Sequence, residues 1–182
     1  GDRTLTLPPD WALELAEAGR GLAIFDELSN SPPLIQGAVL RIIHEHHVGR
    51  LKLPDTVAMV GLANPPEQAT GGWDLAAPLA NRFLHIETGA DASAYVNGML
   101  GGWPDPEPLT LPATWQSHIP TERAKVASFI KARPQLILVV PSDAGKASRG
   151  WPSPRSWDAL ARALAASRAL GAPEDVRLPL AG

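Results

Sequence analysis

Two adjacent carboxylates end an apolar run near the start of the sequence. Residues 22–27 read LAIFDE, so Asp26 and Glu27 follow directly on a segment that is typical of a buried strand. At the carboxyl edge of a parallel sheet, one acid can hold a hydrated Mg²⁺ ion while the next polarises an attacking water. That division of labour suits nucleotide hydrolysis. The alternative interpretation is structural, because carboxylates are common before the start of a helix.

The elements that must position this pair alternate along the chain, and such alternation is typical of a layered α/β fold. Apolar spacing and flanking Gly, Pro or Asp residues predict three strands, which are GLAIF at 21–25, the run 57–63 after a turn at Pro54-Asp55, and LHIE at 84–87. They also predict helices at 11–18, after Ser31, within WDLAAPLANRF, and at 91–100, 121–132 and 154–170.

The helix after Ser31 has the clearest pattern. Ser31 is a candidate N-cap, and prolines occupy the first turn, where their missing N–H is tolerated. Four of its residues are predicted to lie on one stripe at helical spacing, namely Leu34, Ala38, Ile42 and His46.

The composition changes after residue 100. The segment 101–120, GGWPDPEPLTLPATWQSHIP, has five prolines in twenty residues and no clear periodicity. We therefore predict an α/β core over residues 1–105, followed by a linker and a helical lid over residues 106–182.

Composition also limits the function classes. With a net charge of −3, the chain is not expected to bind nucleic acid through bulk electrostatics. It contains no cysteine, which excludes disulfides and thiolate metal sites and is typical of a reducing compartment. No stretch approaches the roughly 18 apolar residues of a membrane span. We expect a cytoplasmic protein that does not associate with membranes.

Four motifs in order carry a family resemblance. They are LAIFDELSNSPPLIQGAVLRIIHE, VAMVGLANPPEQ, PLANRF and WPSPRSW. In this order they resemble the Walker B, sensor 1, arginine-finger and sensor 2 motifs of AAA+ ATPases of the MoxR type. The resemblance extends from about residue 7 to residue 176. It implies a partial AAA+ P-loop NTPase core, with a parallel sheet flanked by helices, followed by a C-terminal helical lid.

The resemblance also implies roles for individual residues. Asp26 would hold Mg²⁺, directly or through water, and Glu27 would orient and deprotonate the attacking water. Asn64 would hydrogen-bond the water and the γ-phosphate without adding a negative charge. Arg82 would complete a neighbouring subunit's site as an arginine finger, and Arg155 would reach the γ-phosphate from the lid.

The implied cofactors are therefore ATP and Mg²⁺, and the implied partners are further copies of the chain in a hexameric ring. MoxR-type proteins are commonly chaperone-like remodelling ATPases, but nothing in this sequence names a client protein. Structural alternatives stay open for Asn64, as a turn residue before Pro65-Pro66, and for Arg82, as a surface or helix-end charge.

One expected motif is missing. A P-loop, G-x-x-x-x-G-K-[ST], should precede the Walker B strand, and these 182 residues do not contain it. In SDAGKAS the first glycine position is Val140 and the Ser/Thr position is Ala147, so we read this segment as an ordinary loop in the lid. Because the sequence opens with Gly1, we expect an internal segment of an ATPase that is inactive alone. The rival hypothesis is a non-catalytic regulatory or assembly module with the same fold.

Two further patterns have competing interpretations. In HEHH, His44 and His47 stand three apart with Glu45 and His46 beside them, which is compatible with a divalent metal site or with a polar helix end. Lysines and arginines between residues 123 and 155 make the lid basic, which suits nucleic acid or a solvated helix face. The absence of interleaved aromatic residues favours the solvated face.

Overall fold

The structure is a computed structural model that describes residues 7–64, 72–106 and 108–173. The chain divides into two compact units. The first comprises Gly1–Phe83 and Val140–Trp151, and the second comprises Leu84–Val139 and Pro152–Gly182, each within the described ranges. The division predicted between residues 105 and 106 stays a prediction.

The described chain contains short strands, α-helices and 3₁₀ turns. The strands are β1 (Gly21–Phe25), β2 (His47–Val48), β3 (Leu51–Lys52) and β4 (Val57–Gly61). The α-helices are α1 (Asp10–Ala18), α2 (Pro33–Glu45), α3 (Ala77–Ala80), α4 (Ala92–Gly101), α5 (Ile119–Ala132), α6 (Ala144–Ala147) and α7 (Pro154–Ala169). Single 3₁₀ turns occupy Leu28–Asn30, Trp115–His118 and Pro134–Leu136.

A two-stranded parallel sheet forms the centre of the first unit. Strand β1 pairs with β4 in a register that runs from Gly21 opposite Val57 to Phe25 opposite Gly61. Parallel strands require a crossover, which α2 and the antiparallel β2–β3 hairpin supply. The strand at 21–25 is confirmed, and the second predicted strand is confirmed as far as Gly61 rather than residue 63.

One face of this sheet lies against the core. Ala23 and Val57 are buried with Ala12 of α1, Val48 and Leu53. On the opposite face, Leu22 and Ile24 are 51% and 57% exposed. The apolar run predicts a buried strand, and this is wrong for the second face of β1, because no described element covers that face.

Helix α2 buries a different stripe from the predicted one. Its buried residues are Gln36 and Val39, whereas Leu34 is 84% exposed. Pro32 occupies the N-cap position and makes no side-chain capping bond, so the predicted Ser31 cap is also wrong. Val39 packs with Leu28 and Leu79 in a second small core, and Phe25 contacts both cores.

Two further expectations are corrected. The segment 84–87 forms no strand, and both Leu84 and Ile86 are exposed. Alternating apolar residues match a strand pattern, but a strand also needs a neighbour to pair with.

The SDAGKAS segment is a short helix rather than a loop, because the carboxylate of Asp143 accepts the Lys146 N–H at 3.0 Å and caps α6.

The second unit is helical. Helices α5 and α7 pack together, and the indole of Trp157 donates to the Leu136 carbonyl at 3.0 Å. Ser153 and Ser156 form a capping box that starts α7, which confirms the helix predicted from residue 154.

Glu122 of α5 is buried and accepts hydrogen bonds from Lys125 at 2.9 Å and from Arg168 of α7 at 3.0 Å.

The described part of the chain is thus α/β, with a small parallel sheet flanked by helices. Among its helices, none combines the length and apolar character that a membrane crossing requires.

Candidate functional site

Asp26 and Glu27 stand at the carboxyl end of β1, and both are exposed. The main chains of β1 and β4 remain bonded beyond the paired strands. The Leu62 N–H donates to the Phe25 carbonyl at 2.9 Å, and the Leu62 carbonyl accepts the Leu28 N–H at 2.9 Å. The two acids therefore lie in a short loop whose two ends are both hydrogen-bonded to Leu62, the residue that follows strand β4.

The local geometry of the acid pair is specific. One carboxylate oxygen of Asp26 accepts the Glu27 N–H at 2.9 Å. Glu27 adopts a left-handed backbone conformation with φ of 50°, which is uncommon for a residue other than glycine. Its Oε2 accepts a hydrogen bond from the side-chain amide of Asn30 at 3.0 Å. This bond orients the carboxylate so that its second oxygen, Oε1, points away from Asn30.

The side chain of Glu27 does not cap the 3₁₀ turn that follows it. Glu27 occupies the N-cap position of the 3₁₀ turn Leu28–Asn30, but its side chain makes no capping hydrogen bond there. Capping therefore does not account for the glutamate.

Asn64 lies two residues beyond Leu62 and is exposed. Because Leu62 is bonded on either side of the acid pair, the chain places Asn64 at the same sheet edge as Asp26 and Glu27. The rest of the sensor-like motif, residues 65–68, lies outside the described residues. The structure thus brings three of the five predicted site residues to one edge.

The donor set at this edge suits a magnesium ion. Mg²⁺ prefers oxygen ligands, keeps several waters, and is usually held by one or two carboxylates together with substrate phosphates. Asp26 can supply one such carboxylate, and its exposure leaves room for a hydrated ion. The described residues include no group of three or more His, Cys, Asp or Glu side chains that could hold a metal without a substrate.

The histidine cluster is divided among three local structures. His44 lies in the last turn of α2, His46 is its C-cap with φ of 54°, and His47 begins β2. The Nδ1 atom of His47 lies 2.7 Å from the carbonyl oxygen of Glu45. A hydrogen bond from Arg41 lowers the pKa of the Glu45 carboxyl. These contacts fit a polar helix end.

Arg82 follows α3, as the sequence predicts, and is half-buried. Its Nη1 atom donates to the Pro78 carbonyl of the same short helix at 2.6 Å. The preceding residue, Asn81, is buried and donates to the Trp151 carbonyl at 2.8 Å. The hydrogen bond of Asn81 therefore fixes the main chain of the first unit next to Arg82.

Gln36 is a positioning residue that sequence reasoning missed. It is 1% exposed, and its amide nitrogen donates to the carbonyls of Ser31 at 3.0 Å and Asp74 at 3.2 Å. Its amide oxygen accepts the Ala76 N–H at 2.7 Å. Gln36 thus fixes the segment that enters α3. Only its polar character within an apolar helix could have signalled this role.

Arg155 belongs to the second unit, where it is exposed in the first turn of α7 after Pro154. This is the position in its helix that the sequence predicts.

A separate groove of about 480 Å³ lies beside α1 and β1. Glu14 is its one charged lining residue, and the others are Trp11, Leu15, Ala18, Leu22, Ala23, Ile24 and Phe25. It is an apolar surface, chemically unlike the polar edge at Asp26 and Glu27.

Comparisons with known proteins add no family assignment. No protein-family model matches the chain, and no curated protein matches it either. The functional assignment therefore depends on the residues and geometry of the site.

Proposed function

We propose that this chain supplies the magnesium- and water-binding edge of an ATP-hydrolysing site of the AAA+, MoxR type. The observation that carries the proposal is the parallel β1–β4 pair, whose carboxyl ends bear Asp26, Glu27 and Asn64. Open α/β sheets bind their ligands outside the carboxyl ends of such strands.

Each residue has a chemical task in this proposal. Asp26 holds Mg²⁺, and the ion neutralises phosphate charge when it is bound. Glu27 accepts a proton from the attacking water through Oε1, while Asn30 holds Oε2 in place. Asn64 donates a hydrogen bond to the phosphate and accepts one from the water.

The proposal also extends to assembly. In a homo-oligomeric, hexameric ring, Arg82 leaves the Pro78 carbonyl and stabilises charge at a neighbour's site, and Arg155 contacts the γ-phosphate from the lid. The amides that cradle the phosphates come from residues outside this sequence, because it contains no P-loop motif. The protein would act in the cytoplasm as a chaperone-like remodelling ATPase on a client protein.

One observation favours a second candidate, a non-catalytic regulatory or assembly module. The guanidinium of Arg82 donates to the Pro78 carbonyl of the preceding helix α3 at 2.6 Å, an arrangement that serves the fold rather than a neighbour's site. This candidate retains the fold and predicts no dependence of any activity on Glu27.

A double-mutant cycle tests the proposal. In the natural full-length protein, Glu27→Gln and Asn64→Ala should each lower ATP turnover by about 10²-fold or more, since both act on one water. The double variant should be about as slow as the slower single variant, because residues that act as a unit are non-additive. Asn97→Ala, an exposed asparagine on α4, is the matched control. Full turnover in both single variants would overturn the proposal.

A further inference from the structure

A side-chain hydrogen bond joins the residue before Arg82 to a distant part of the first unit. Asn81 is 5% exposed, and its side-chain amide donates to the Trp151 carbonyl at 2.8 Å. Trp151 ends the segment Val140–Trp151, which belongs to the first unit although it follows residues 84–139 of the second. Helix α6 of this segment contacts α3. The segment therefore lies against the carboxyl end of α3, directly before Arg82.

Helix α3 needs such support because it is short. It has four residues, and no side-chain hydrogen bond caps its start from the N-cap position. A single helical turn is not stable by itself, so packing must hold it in place. Leu79 and Ala80 are fully buried, and the Asn81 N–H donates to the Ala77 carbonyl at 3.1 Å. The Asn81 side chain adds a contact at the end of the helix that is nearest to Arg82.

The main chain of Arg82 is held on both sides. Its N–H donates to the Leu79 carbonyl at 3.0 Å, and the Phe83 N–H donates to the Ala80 carbonyl at 3.2 Å. The Phe83 side chain packs on the second small core. The guanidinium can turn from the Pro78 carbonyl by rotation about side-chain bonds. How far it then reaches is set by the position of the Arg82 Cα atom.

We propose that Asn81 is a positioning residue for Arg82. By donating to the Trp151 carbonyl, Asn81 keeps the Arg82 main chain at the point from which the guanidinium reaches a neighbouring subunit's site. A displacement of about 1 Å at such a group can reduce turnover by about 10²-fold. The inference rests on the arginine-finger assignment in the proposed function. It adds that the segment 140–151, which is distant in sequence, supports the finger.

Hydrogen exchange of the natural full-length protein measures this positioning without ATP. In Asn81→Ala, the peptide spanning residues 77–84 should exchange about ten-fold faster or more, because a hydrogen bond that restrains local opening is lost. The peptide that covers β1 should exchange as in the wild type. Thr56→Val is the control, since the Thr56 hydroxyl also donates to a distant main-chain group of the first unit, the Gly19 carbonyl. It should leave the exchange of residues 77–84 unchanged.

Turnover separates positioning from a general loss of stability. Asn81→Ala should lower kcat for ATP by about 10²-fold with ATP affinity nearly unchanged, because the finger acts on a neighbour's site during cleavage. Combined with Arg82→Ala, it should be no slower than Arg82→Ala alone. Thr56→Val should turn over normally. Asn81→Ser, whose hydroxyl lies one bond closer to the main chain, is the second variant and carries the same tests should Asn81→Ala not fold.

The outcomes distinguish this inference from the finger assignment. Normal turnover in Asn81→Ala beside a slow Arg82→Ala, or unchanged exchange of residues 77–84, would overturn the inference and leave the finger assignment intact. A loss in Asn81→Ala that adds in full to that of Arg82→Ala would do the same, since a purely structural residue acts independently of the finger. Normal turnover in Arg82→Ala would remove the finger assignment itself, and this inference with it.

Discussion

The Leu62 N–H donates a 2.9 Å hydrogen bond to the Phe25 carbonyl, one residue past the end of β4 and one residue before Asp26. The Leu62 carbonyl also accepts the Leu28 N–H, so main-chain bonds close both ends of the loop that carries Asp26 and Glu27. The edge is therefore built by the backbone. Exposed side chains at positions 26, 27 and 64 can be changed to test chemistry without dismantling the fold.

The 182-residue chain should not hydrolyse ATP when purified alone. It has no P-loop motif whose amides and lysine could hold the phosphates. Phosphate release, followed over hours at high protein concentration, provides the measurement. Turnover that Glu27→Gln abolishes would contradict this expectation and place a phosphate site within these residues.

Arg82→Ala in the natural full-length protein should reduce ATP turnover by a factor of about 10³ or more, with ATP affinity nearly unchanged. Arg50→Ala, an exposed arginine in the β2–β3 turn, is the control. Mixing Arg82→Ala with Glu27→Gln subunits should restore part of the activity, because some interfaces then combine an intact finger with an intact base. Normal turnover by the Arg82→Ala ring would remove the finger assignment.

Gln36→Ala should destabilise the first unit by about 1–3 kcal/mol, because three part-buried hydrogen bonds to main-chain groups are lost and a cavity forms. Gln116→Ala, at an exposed position, should change stability by less than about 0.5 kcal/mol. Urea unfolding of both variants gives the comparison. Equal midpoints would show that Gln36 does not hold the segment entering α3.

Glu122 should make the second unit sensitive to acid. Burial raises the pKa of the Glu122 carboxyl, but hydrogen bonds and charge from Lys125 and Arg168 outweigh that effect and lower the pKa below its usual value. A carboxyl whose pKa is lowered by folding contributes stability above its unfolded pKa, and the contribution disappears as pH falls through the folded pKa.

Urea unfolding between pH 7 and pH 3, followed by tryptophan fluorescence, measures this contribution. Glu122→Gln should lose stability at pH 7 and show a weaker loss between about pH 5 and pH 3 than the wild type. Asp55→Asn, an exposed carboxyl in the first unit, serves as the control. Identical pH profiles for wild type and Glu122→Gln would rule out this role.

Local sequence patterns predicted the elements that carry their own signals. Proline and glycine bound α1, Asp91 caps α4, and Ser153 with Pro154 starts α7. The apolar run of β1 also predicted where the acid pair would stand. These signals predict the order of the elements and the position of Asp26 and Glu27 at the end of a strand.

Features that depend on distant partners were not predictable in this way. Gln36 is buried because carbonyl and amide groups of residues 74 and 76 satisfy it, and helical periodicity contains no information about those partners. The LHIE segment has strand periodicity, yet pairing with a neighbour decides whether a strand forms. Likewise, Leu22 and Ile24 are apolar, but exposure depends on what lies over them.

The most direct test of the account is to measure ATP binding and ATP cleavage separately in Glu27→Gln, within the natural full-length protein, beside the exposed-acid control Glu17→Gln. We predict that Glu27→Gln binds ATP as tightly as the wild type, or more tightly, while single-turnover cleavage falls by about 10²–10⁴-fold. Glu17→Gln should behave as the wild type in both assays. Unchanged cleavage in Glu27→Gln would contradict the assignment of this sheet edge to nucleotide hydrolysis.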